Sequence, residues 1–169
     1  NMKYAVLIFA MLLFTINTKA QSRSELDSLL KVVDTEKEDS NRERTLSRIG
    51  SFYIDNNPGK ALEYFERAAE LAKKLNFTLR LANNYYDIGF CHLLKGDFDK
   101  SLLHYQQSAK LYEQLKDNRR LVNAFMSIGN VFFQNRDLIK AGDYYDRAEL
   151  IIKESKDSNQ LSTLYSERG

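Results

Sequence analysis

The chain has 169 residues, with 25 lysines and arginines against 23 aspartates and glutamates, and a formal net charge of +2 at pH 7. The basic excess comes from Lys3 and Lys19, and without the first twenty residues the two charge types balance at 23 each. This chain lacks the concentrated basic footprint of nucleic-acid-binding proteins, so no nucleic-acid partner is expected. Its single cysteine, Cys91, excludes an intrachain disulfide and is expected to be buried as a small apolar residue.

Residues 1–20 have the pattern of an export signal peptide. Lys3 supplies a positive charge, an apolar run extends from Ala5 to Ile16, and Thr18-Lys19-Ala20 places small residues just before a cleavage point at Gln21. The run is about twelve residues long, whereas a membrane-spanning helix needs roughly twenty. A cleaved leader is therefore favoured over a membrane anchor. We expect the protein to be exported, to the periplasm or the extracytoplasmic side of the inner membrane.

Residues 21–41 are predicted to contain a short capping helix and a charged linker. The helix is expected from Ser24 to Val33, because apolar side chains recur there at helical spacing. The charged residues that follow, up to Asn41, are expected to form the linker. The apolar face of the predicted helix consists of Leu26, Leu29, Leu30 and Val33.

A period of 40 residues runs through the rest of the chain. An Ile-Gly pair recurs at residues 49–50, 88–89 and 128–129, with spacings of 39 and then 40. One aromatic column and two columns of small residues keep the same phase, and this agreement predicts internal repeats. We expect an array over 42–169, with repeats at 42–80, 81–120 and 121–160 and the start of a fourth. The columns are Phe65, Tyr105 and Tyr145; Ala61, Ser101 and Ala141; and Ala68, Ser108 and Ala148.

Each repeat is predicted to be a pair of antiparallel helices. In the second repeat, apolar residues step by three and four along both predicted helices. Lys95-Gly96-Asp97 is expected to form the turn between them, with Asp97 capping the second helix. In the first repeat Pro58-Gly59 is expected to make the turn. The two apolar stripes are Leu81, Tyr85, Ile88 and Cys91, and Phe98, Leu102, Tyr105, Ala109 and Tyr112.

Glycine recurs inside the first helix of each repeat, at Gly50, Gly89 and Gly129. Glycine in a helix costs roughly 0.5 to 1 kcal/mol relative to alanine, so its recurrence requires a structural reason. Close approach of the partner helix is the simplest one, since any side chain there would clash. We therefore expect the two helices of each pair to cross near these glycines.

This order of residues resembles the tetratricopeptide repeat family. The family pattern has a large apolar residue four positions before the glycine, an aromatic residue three after it, and a small, aromatic, small series on the second helix. His92 departs from it, and the 40-residue period exceeds the usual length of about 34, as in extended-repeat subgroups. The resemblance implies an all-α fold, an alpha-alpha superhelix or solenoid. The third repeat fits throughout, with Phe125, Gly129, Phe132, Ala141, Tyr145 and Ala148.

The sequence holds no motif for catalysis, metal binding or a cofactor. It has no phosphate-cradling glycine loop, no nucleophile elbow and no paired metal-binding cysteines. His92 and His104 fall on different predicted helices, so a shared metal site is not expected. We therefore expect a protein that is not an enzyme, without a cofactor, a metal or a small-molecule substrate.

The resemblance implies a concave groove lined by the first helix of each repeat, one turn either side of the glycine. A protein or peptide is expected to bind there, and a second copy of the chain is an alternative partner. For the apolar residues, burial against neighbouring helices is the competing interpretation. Tyr86 and Met126 stand where a carboxylate-clamping lysine would be expected, so a clamp is disfavoured. The groove residues implied in the second and third repeats are Asn83, Tyr86, Asp87, Phe90, Leu94, Asn123, Met126, Ser127, Asn130, Phe133 and Gln134, with Ser47, Ser51 and Ile54 in the first.

The leader, the long repeats and an array that stops within a repeat resemble the extracytoplasmic N-terminal regions of bacterial sensor kinases and helix-turn-helix regulators. This resemblance implies a sensory or interaction region of a larger signalling protein, followed by a membrane helix and an output domain. The alternative is a free-standing periplasmic or secreted assembly scaffold. The apolar segment Ala5 to Ile16 is further expected to lie as a helix against apolar repeat surface, of its own array or of a neighbouring copy, and the alternative is that it extends the N-terminal capping helix. The groove residues expected to receive it are Tyr86, Phe90, Met126 and Phe133.

Overall fold

The computed structural model describes residues 23–155 and Leu164, and these residues are all-α, without a strand among them. The expected fold class is therefore confirmed. Residues 1–20, the predicted leader, lie outside the described part of the chain, as does the expected contact of the leader with the groove. The helices described are α1 (23–32), α2 (Ser40–Tyr53), α3 (Pro58–Lys74), α4 (Thr78–Leu94), α5 (Phe98–Gln114), α6 (Asn118–Gln134) and α7 (Leu138–Ser155).

The chain divides into two compact units, 1–37 and 38–169. In the first unit, α1 corresponds to the predicted capping helix, and the backbone amide of Val33 still donates to the Leu29 carbonyl at 3.0 Å as the helix ends. In the second unit, helices α2 to α7 follow one another and each packs against the next along the chain.

Connections of three residues join α3 to α4, α4 to α5, α5 to α6 and α6 to α7. Such short connections turn the chain back on itself and make consecutive helices antiparallel neighbours. Each connection contains one residue with positive φ, and the amide after it donates to a carbonyl five residues earlier, as in a Schellman motif. These bonds end the helices by satisfying carbonyls that have lost their helical partners. The positive-φ residues are Asn76, Gly96, Lys116 and Arg136.

One predicted turn is wrong. Pro58 and Gly59 are the first two residues of α3, and the connection before them is residues 54–57. Proline suits a first helical position, because the amide hydrogen that it lacks would have no partner there. Asp97 stands at the N-cap of α5 as predicted, but its carboxylate makes no capping hydrogen bond and faces the His92 imidazole, with Oδ2 at 3.3 Å from Nδ1. In the connection before α6, the Asp117 carboxylate does cap the helix, accepting the Arg120 amide at 3.1 Å.

The predicted close approach at the three helical glycines is confirmed, and the group over each glycine is the aromatic residue of the partner helix. A Cβ would lie 2.9 Å from the Phe65 ring at Gly50, 2.9 Å from the Tyr105 ring at Gly89, and 2.6 Å from the Tyr145 ring at Gly129. The small-residue columns are buried beside these rings, and Ser101 Oγ donates to the Gly89 carbonyl at 2.8 Å.

Leu164 is the described member of the residues predicted to begin a fourth repeat. It is helical and fully buried, and it belongs to the same hydrophobic core as α4 to α7. Leu161 and Tyr165 lie outside the described residues. Within the described ranges, none of the helices has both the length and the hydropathy needed to cross a bilayer.

Candidate functional site

Six of the eleven predicted groove residues in α4 and α6 meet around one cavity of about 270 Å³, which we call the aromatic pocket. The cavity lies where α4 and α6 face each other, so residues about 40 positions apart in the sequence share its wall. Its lining residues are Tyr86, Phe90, Leu93, Tyr105, Asn123, Met126, Ser127 and Asn130.

Tyr86 is held in place at this pocket from two sides. Its hydroxyl forms a 2.8 Å hydrogen bond with Ser127 Oγ, which joins α4 to α6. Its ring meets the Tyr105 ring edge to face, with 5.1 Å between centroids and 61° between planes. Because this geometry suits the aromatic quadrupole, the Tyr86 side chain is pre-positioned before any ligand arrives.

The remaining lining residues differ in exposure. Met126 is 5% exposed and forms part of the core, as the burial interpretation of the groove positions anticipated. Phe90 is partly buried, and Asn123 is exposed on the same side. Asn130 is partly buried, and its Oδ1 accepts a hydrogen bond from the Tyr145 hydroxyl. Apolar surface flanked by side-chain amides can accommodate a peptide, since an amide both donates and accepts hydrogen bonds.

A second cavity, of about 280 Å³, opens between α2 and α4, and we call it the polar pocket. It contains three further predicted groove residues, Ser47, Asn83 and Asp87. The full lining is Glu43, Arg44, Ser47, Arg80, Asn83, Asn84 and Asp87.

A hydrogen-bond network organises the polar pocket around Glu43, which is 3% exposed. Arg80 Nη1 donates to Glu43 Oε2 at 2.7 Å and to the Ser40 carbonyl at 2.7 Å. Asn84 Nδ2 donates to Glu43 Oε1 at 2.8 Å, and Ser47 Oγ donates to Asn84 Oδ1 at 2.7 Å. These partners compensate for the burial of the Glu43 side chain, because a buried polar group is costly without hydrogen bonds.

The residues at the centre of this network were missed at the sequence level. Glu43 occupies the repeat column of Ala82 and Val122, and Asn84 occupies the column of Thr45 and Ala124. All six positions are buried. The available signal was Glu43, a charged residue in a column that is otherwise apolar, because a buried polar residue needs a specific partner.

Asp87 lies in the polar pocket without a hydrogen bond or ion pair to any residue that the structure describes. Burial raises the pKa of its carboxyl group to about 7. One turn further along α4, burial and then the charge of Asp87 raise the pKa of the Cys91 thiol to about 12. Cys91 is fully buried, as expected, and its thiol stays protonated at neutral pH.

Three predicted groove residues lie outside both pockets, near the ends of α4 and α6. Leu94 and Phe133 are exposed, the latter at 57%, and Gln134 is exposed beside it. In the first repeat, Ser51 is exposed on α2 and Ile54 packs beside the core. The structure therefore divides the predicted groove into two lined pockets and a set of exposed positions.

His92 and His104 lie on different helices, as predicted, and their rings are in contact. Their rings stack with centroids 5.6 Å apart and 6° between planes, bridging α4 and α5. Burial and then the neighbouring His92 lower the pKa of His104 below its usual value. No group of three or more potential metal ligands occurs among the described residues.

Several solved structures share the fold of this chain. A Rap protein complexed with competence and sporulation factor aligns with a TM-score of 0.75 at 22% identity, over 85% of this chain and 41% of that chain. Aspartyl phosphate phosphatase F from Bacillus subtilis aligns with a TM-score of 0.79 at 16% identity, over 89% and 41%. The tetratricopeptide repeat domain of Arabidopsis FLU aligns with a TM-score of 0.58 at 20% identity, over 79% and 98%.

The chain spans about two fifths of the length of the first two proteins, and at these identities the likeness concerns the fold. No protein of curated function matches this sequence. Residues 41–114 match the family model of the tetratricopeptide repeat, which covers α2 to α5. Residues 41–114 therefore match the tetratricopeptide repeat, and the described helices have the fold of such repeat proteins, as the resemblance in the sequence predicts.

Proposed function

We propose that this chain is a non-catalytic module that binds an extended segment of a protein or peptide in the groove formed by α4 and α6. The observation that carries the proposal is the aromatic pocket, where six predicted groove residues from two helices converge on one cavity. A concave site with apolar walls and a few polar groups is the usual form of a binding pocket.

The chemistry of the pocket suits an extended peptide. Tyr86 and Phe90 offer apolar surface for one side chain, and the exposed amide of Asn123 can pair with the backbone beside it. The hydrogen bond between Tyr86 and Ser127 fixes the wall in advance, which lowers the entropic cost of binding. A Rap protein of similar fold was solved in complex with competence and sporulation factor, and this supports a binding role for the present chain.

Site-specific photo-crosslinking tests the proposal. A benzophenone amino acid would replace Asn123 at the aromatic pocket and, as the control, Leu103, which is 52% exposed on α5. After irradiation in the native cell, mass spectrometry would identify the adducts. Position 123 is expected to yield a discrete adduct that position 103 does not. The same adducts at both positions, or none at position 123, would contradict a binding site in the groove.

We further propose that this module is exported and forms the sensory or interaction region of a larger signalling protein. The signal-peptide pattern of residues 1–20 supports export, and the long repeats support a sensory or interaction region of a signalling protein. A free-standing periplasmic or secreted scaffold is the alternative. The coding sequence after Gly169 separates the two: roughly twenty apolar residues support the signalling protein, and a polar capping helix supports the scaffold.

Export is tested by processing. Protein recovered from the periplasm is expected to begin at Gln21 in mass spectrometry, and alkaline phosphatase fused to the chain is expected to be active. A protein that keeps Met2 and remains in the cytoplasm would contradict export.

A further inference from the structure

We propose that the polar pocket receives a lysine or arginine side chain of the bound peptide, with Asp87 as its counter-ion, beside an apolar residue in the aromatic pocket. This inference deepens the proposed function and rests on it. It names what the groove selects: an extended peptide with a basic residue close to an apolar one.

The first step is the contrast between the two acidic side chains of the polar pocket. Glu43 is almost fully buried, and its two carboxylate oxygens accept from Arg80 and Asn84. Asp87 is partly buried and receives no such donor from the described residues. A carboxylate withdrawn from water without a partner is unfavourable, and a cation from outside would relieve this cost.

The second step concerns the cations already present. Arg80 already donates hydrogen bonds to Glu43 and to the Ser40 carbonyl. Arg44 also lines the pocket, and its Nη2 donates to Asn41 Oδ1 at 3.2 Å. Burial is the cause of the raised pKa of Asp87, and neither arginine offsets it. The titratable groups around Asp87 are Glu43 and Arg44 from α2, Arg80, Tyr86 and Cys91 from α4, and Tyr105 and Tyr112 from α5.

The third step is the fit of a basic side chain. An ammonium group has three donors and a guanidinium has five, so each needs acceptors beyond one carboxylate. Asn83 supplies its Oδ1, which accepts one hydrogen bond from the Tyr112 hydroxyl at 2.8 Å and has a second lone pair. Ser47 Oγ lies in the same lining and is a further acceptor. The pocket therefore contains a carboxylate with two neutral acceptors.

The fourth step is the position of the two pockets. Asp87 and Tyr86 are adjacent in α4, so the polar and aromatic pockets open side by side on one helix. Successive residues of an extended peptide are about 3.3 to 3.6 Å apart, so residues one or two positions apart can reach both pockets. The apolar stem of a lysine can also lie along the aromatic wall while its charge reaches Asp87.

The arrangement couples binding to protons. With a pKa of about 7, Asp87 is largely protonated in mildly acidic solution when the groove is empty. A bound cation favours the ionised carboxylate, so binding releases a proton below that pH. The affinity for a basic peptide is therefore expected to fall as the pH drops below about 7.

Selection from a synthetic random heptapeptide library, with the purified full chain as bait, tests the inference. The chain is compared with Asp87→Asn, which keeps the shape and removes the charge, and with Asp143→Asn on the exposed side of α7 as a matched control. Selected lysine peptides are then compared with their norleucine analogues by fluorescence anisotropy at pH 8 and pH 5.5.

The parent chain and Asp143→Asn are expected to enrich lysine or arginine next to an apolar residue, whereas Asp87→Asn keeps only the apolar preference. Lysine peptides should bind about tenfold more tightly than their norleucine analogues at pH 8, which corresponds to about 1.4 kcal/mol. This preference should shrink at pH 5.5 in the parent and be absent in Asp87→Asn.

Enriched peptides without a basic residue, or a basic preference that survives Asp87→Asn, would overturn this inference and leave the groove proposal standing. Enrichment of acidic residues would overturn it, because Arg44 and Arg80 would then be the groups of the polar pocket that select the peptide. Failure of the parent chain to enrich any peptide would instead count against the groove proposal itself.

Discussion

The ring of Tyr145 lies directly over Gly129, so close that a Cβ on residue 129 would come within 2.6 Å of the ring carbon Cε1. The same relationship joins Tyr105 to Gly89 and Phe65 to Gly50. Each repeat thus replaces a side chain on its first helix with an aromatic ring from its second. Glycine recurs at this position because the aromatic ring of the partner helix occupies the space that a side chain would need.

The glycine relationship predicts that Gly129→Ala destabilises the protein. The added methyl group must displace a buried ring, and overpacking of this kind typically costs about 1–3 kcal/mol. Gly142→Ala is the matched control, because no described atom lies within 4 Å of a Cβ at that position in α7. Alanine there should stabilise the protein by about 0.5–1 kcal/mol through helix propensity.

Urea denaturation measures both variants. The midpoint is expected to fall for Gly129→Ala and to rise for Gly142→Ala. If Gly129→Ala gained stability as Gly142→Ala does, the close approach of Tyr145 would not hold in solution.

The raised pKa of Asp87 predicts that the free energy of unfolding depends on pH near neutrality. Its pKa is raised in the folded state from 3.8 to about 7, so the folded protein binds the proton more tightly than the unfolded chain. The contribution is fully present below about pH 4 and is lost as the pH rises through 7. Asp87→Asn should therefore melt at a higher temperature than the parent at pH 8, by at least a few degrees, and the difference should shrink towards pH 5. Equal melting temperatures at pH 8 would show that Asp87 is not desolvated.

The lowered pKa of His104 predicts the opposite pH dependence: the free energy of unfolding should decrease as the pH falls in mildly acidic solution. The pKa of His104 is below 6.5 in the folded state, so the unfolded chain takes up the proton first as the pH falls. The stabilising contribution is present above pH 6.5 and is lost as the pH falls below it. His104→Phe keeps a ring against His92 and removes the titration, so its unfolding free energy should fall less than that of the parent between pH 7 and pH 5. An identical loss in both proteins would exclude this role.

The 40-residue period allowed much of the fold to be predicted from the sequence. The Ile-Gly pairs and the aromatic column indicated the helix pairs and their crossings, since a repeated close approach leaves a repeated residue type. The turn at Pro58 was misplaced because Pro-Gly is typical both of turns and of a helix start. Asp97 was placed correctly at the N-cap, but its carboxylate faces His92 instead of the helix amides, and the local sequence pattern does not show that contact.

The candidate site was predicted less completely. Repeat position indicated that Asn123 and Met126 lie on the groove side of α6, but the neighbouring helices decide that one is exposed and the other buried. The polar pocket depends on Glu43, which replaces an apolar residue in its column and finds Arg80 and Asn84 from another helix. Such partnerships between repeats leave no local pattern in the sequence.

The hydrogen bond between Tyr86 and Ser127 predicts separable effects on stability and binding. Tyr86→Phe keeps the ring and removes the bond between α4 and α6, which should cost about 0.5–1.5 kcal/mol of unfolding free energy. Asn123→Ala, at an exposed position, should change stability by less than about 0.5 kcal/mol and weaken binding of a selected peptide. Anisotropy titrations and urea denaturation of both variants check this. Unchanged peptide affinity in Asn123→Ala would remove that amide from the site.

The most direct measurement of the central claim is an NMR titration of the ¹⁵N-labelled chain with a peptide selected from the library. The side-chain amide signal of Asn123 and the backbone amides of Tyr86 and Ser127 are expected to shift with the peptide concentration, while the exposed Gln114 side-chain amide remains unchanged. Together these shifts would place the peptide in the aromatic pocket. Shifts centred on exposed positions of α5 and α7 such as Leu103 and Leu150, with the Asn123 signal unmoved, would contradict the account.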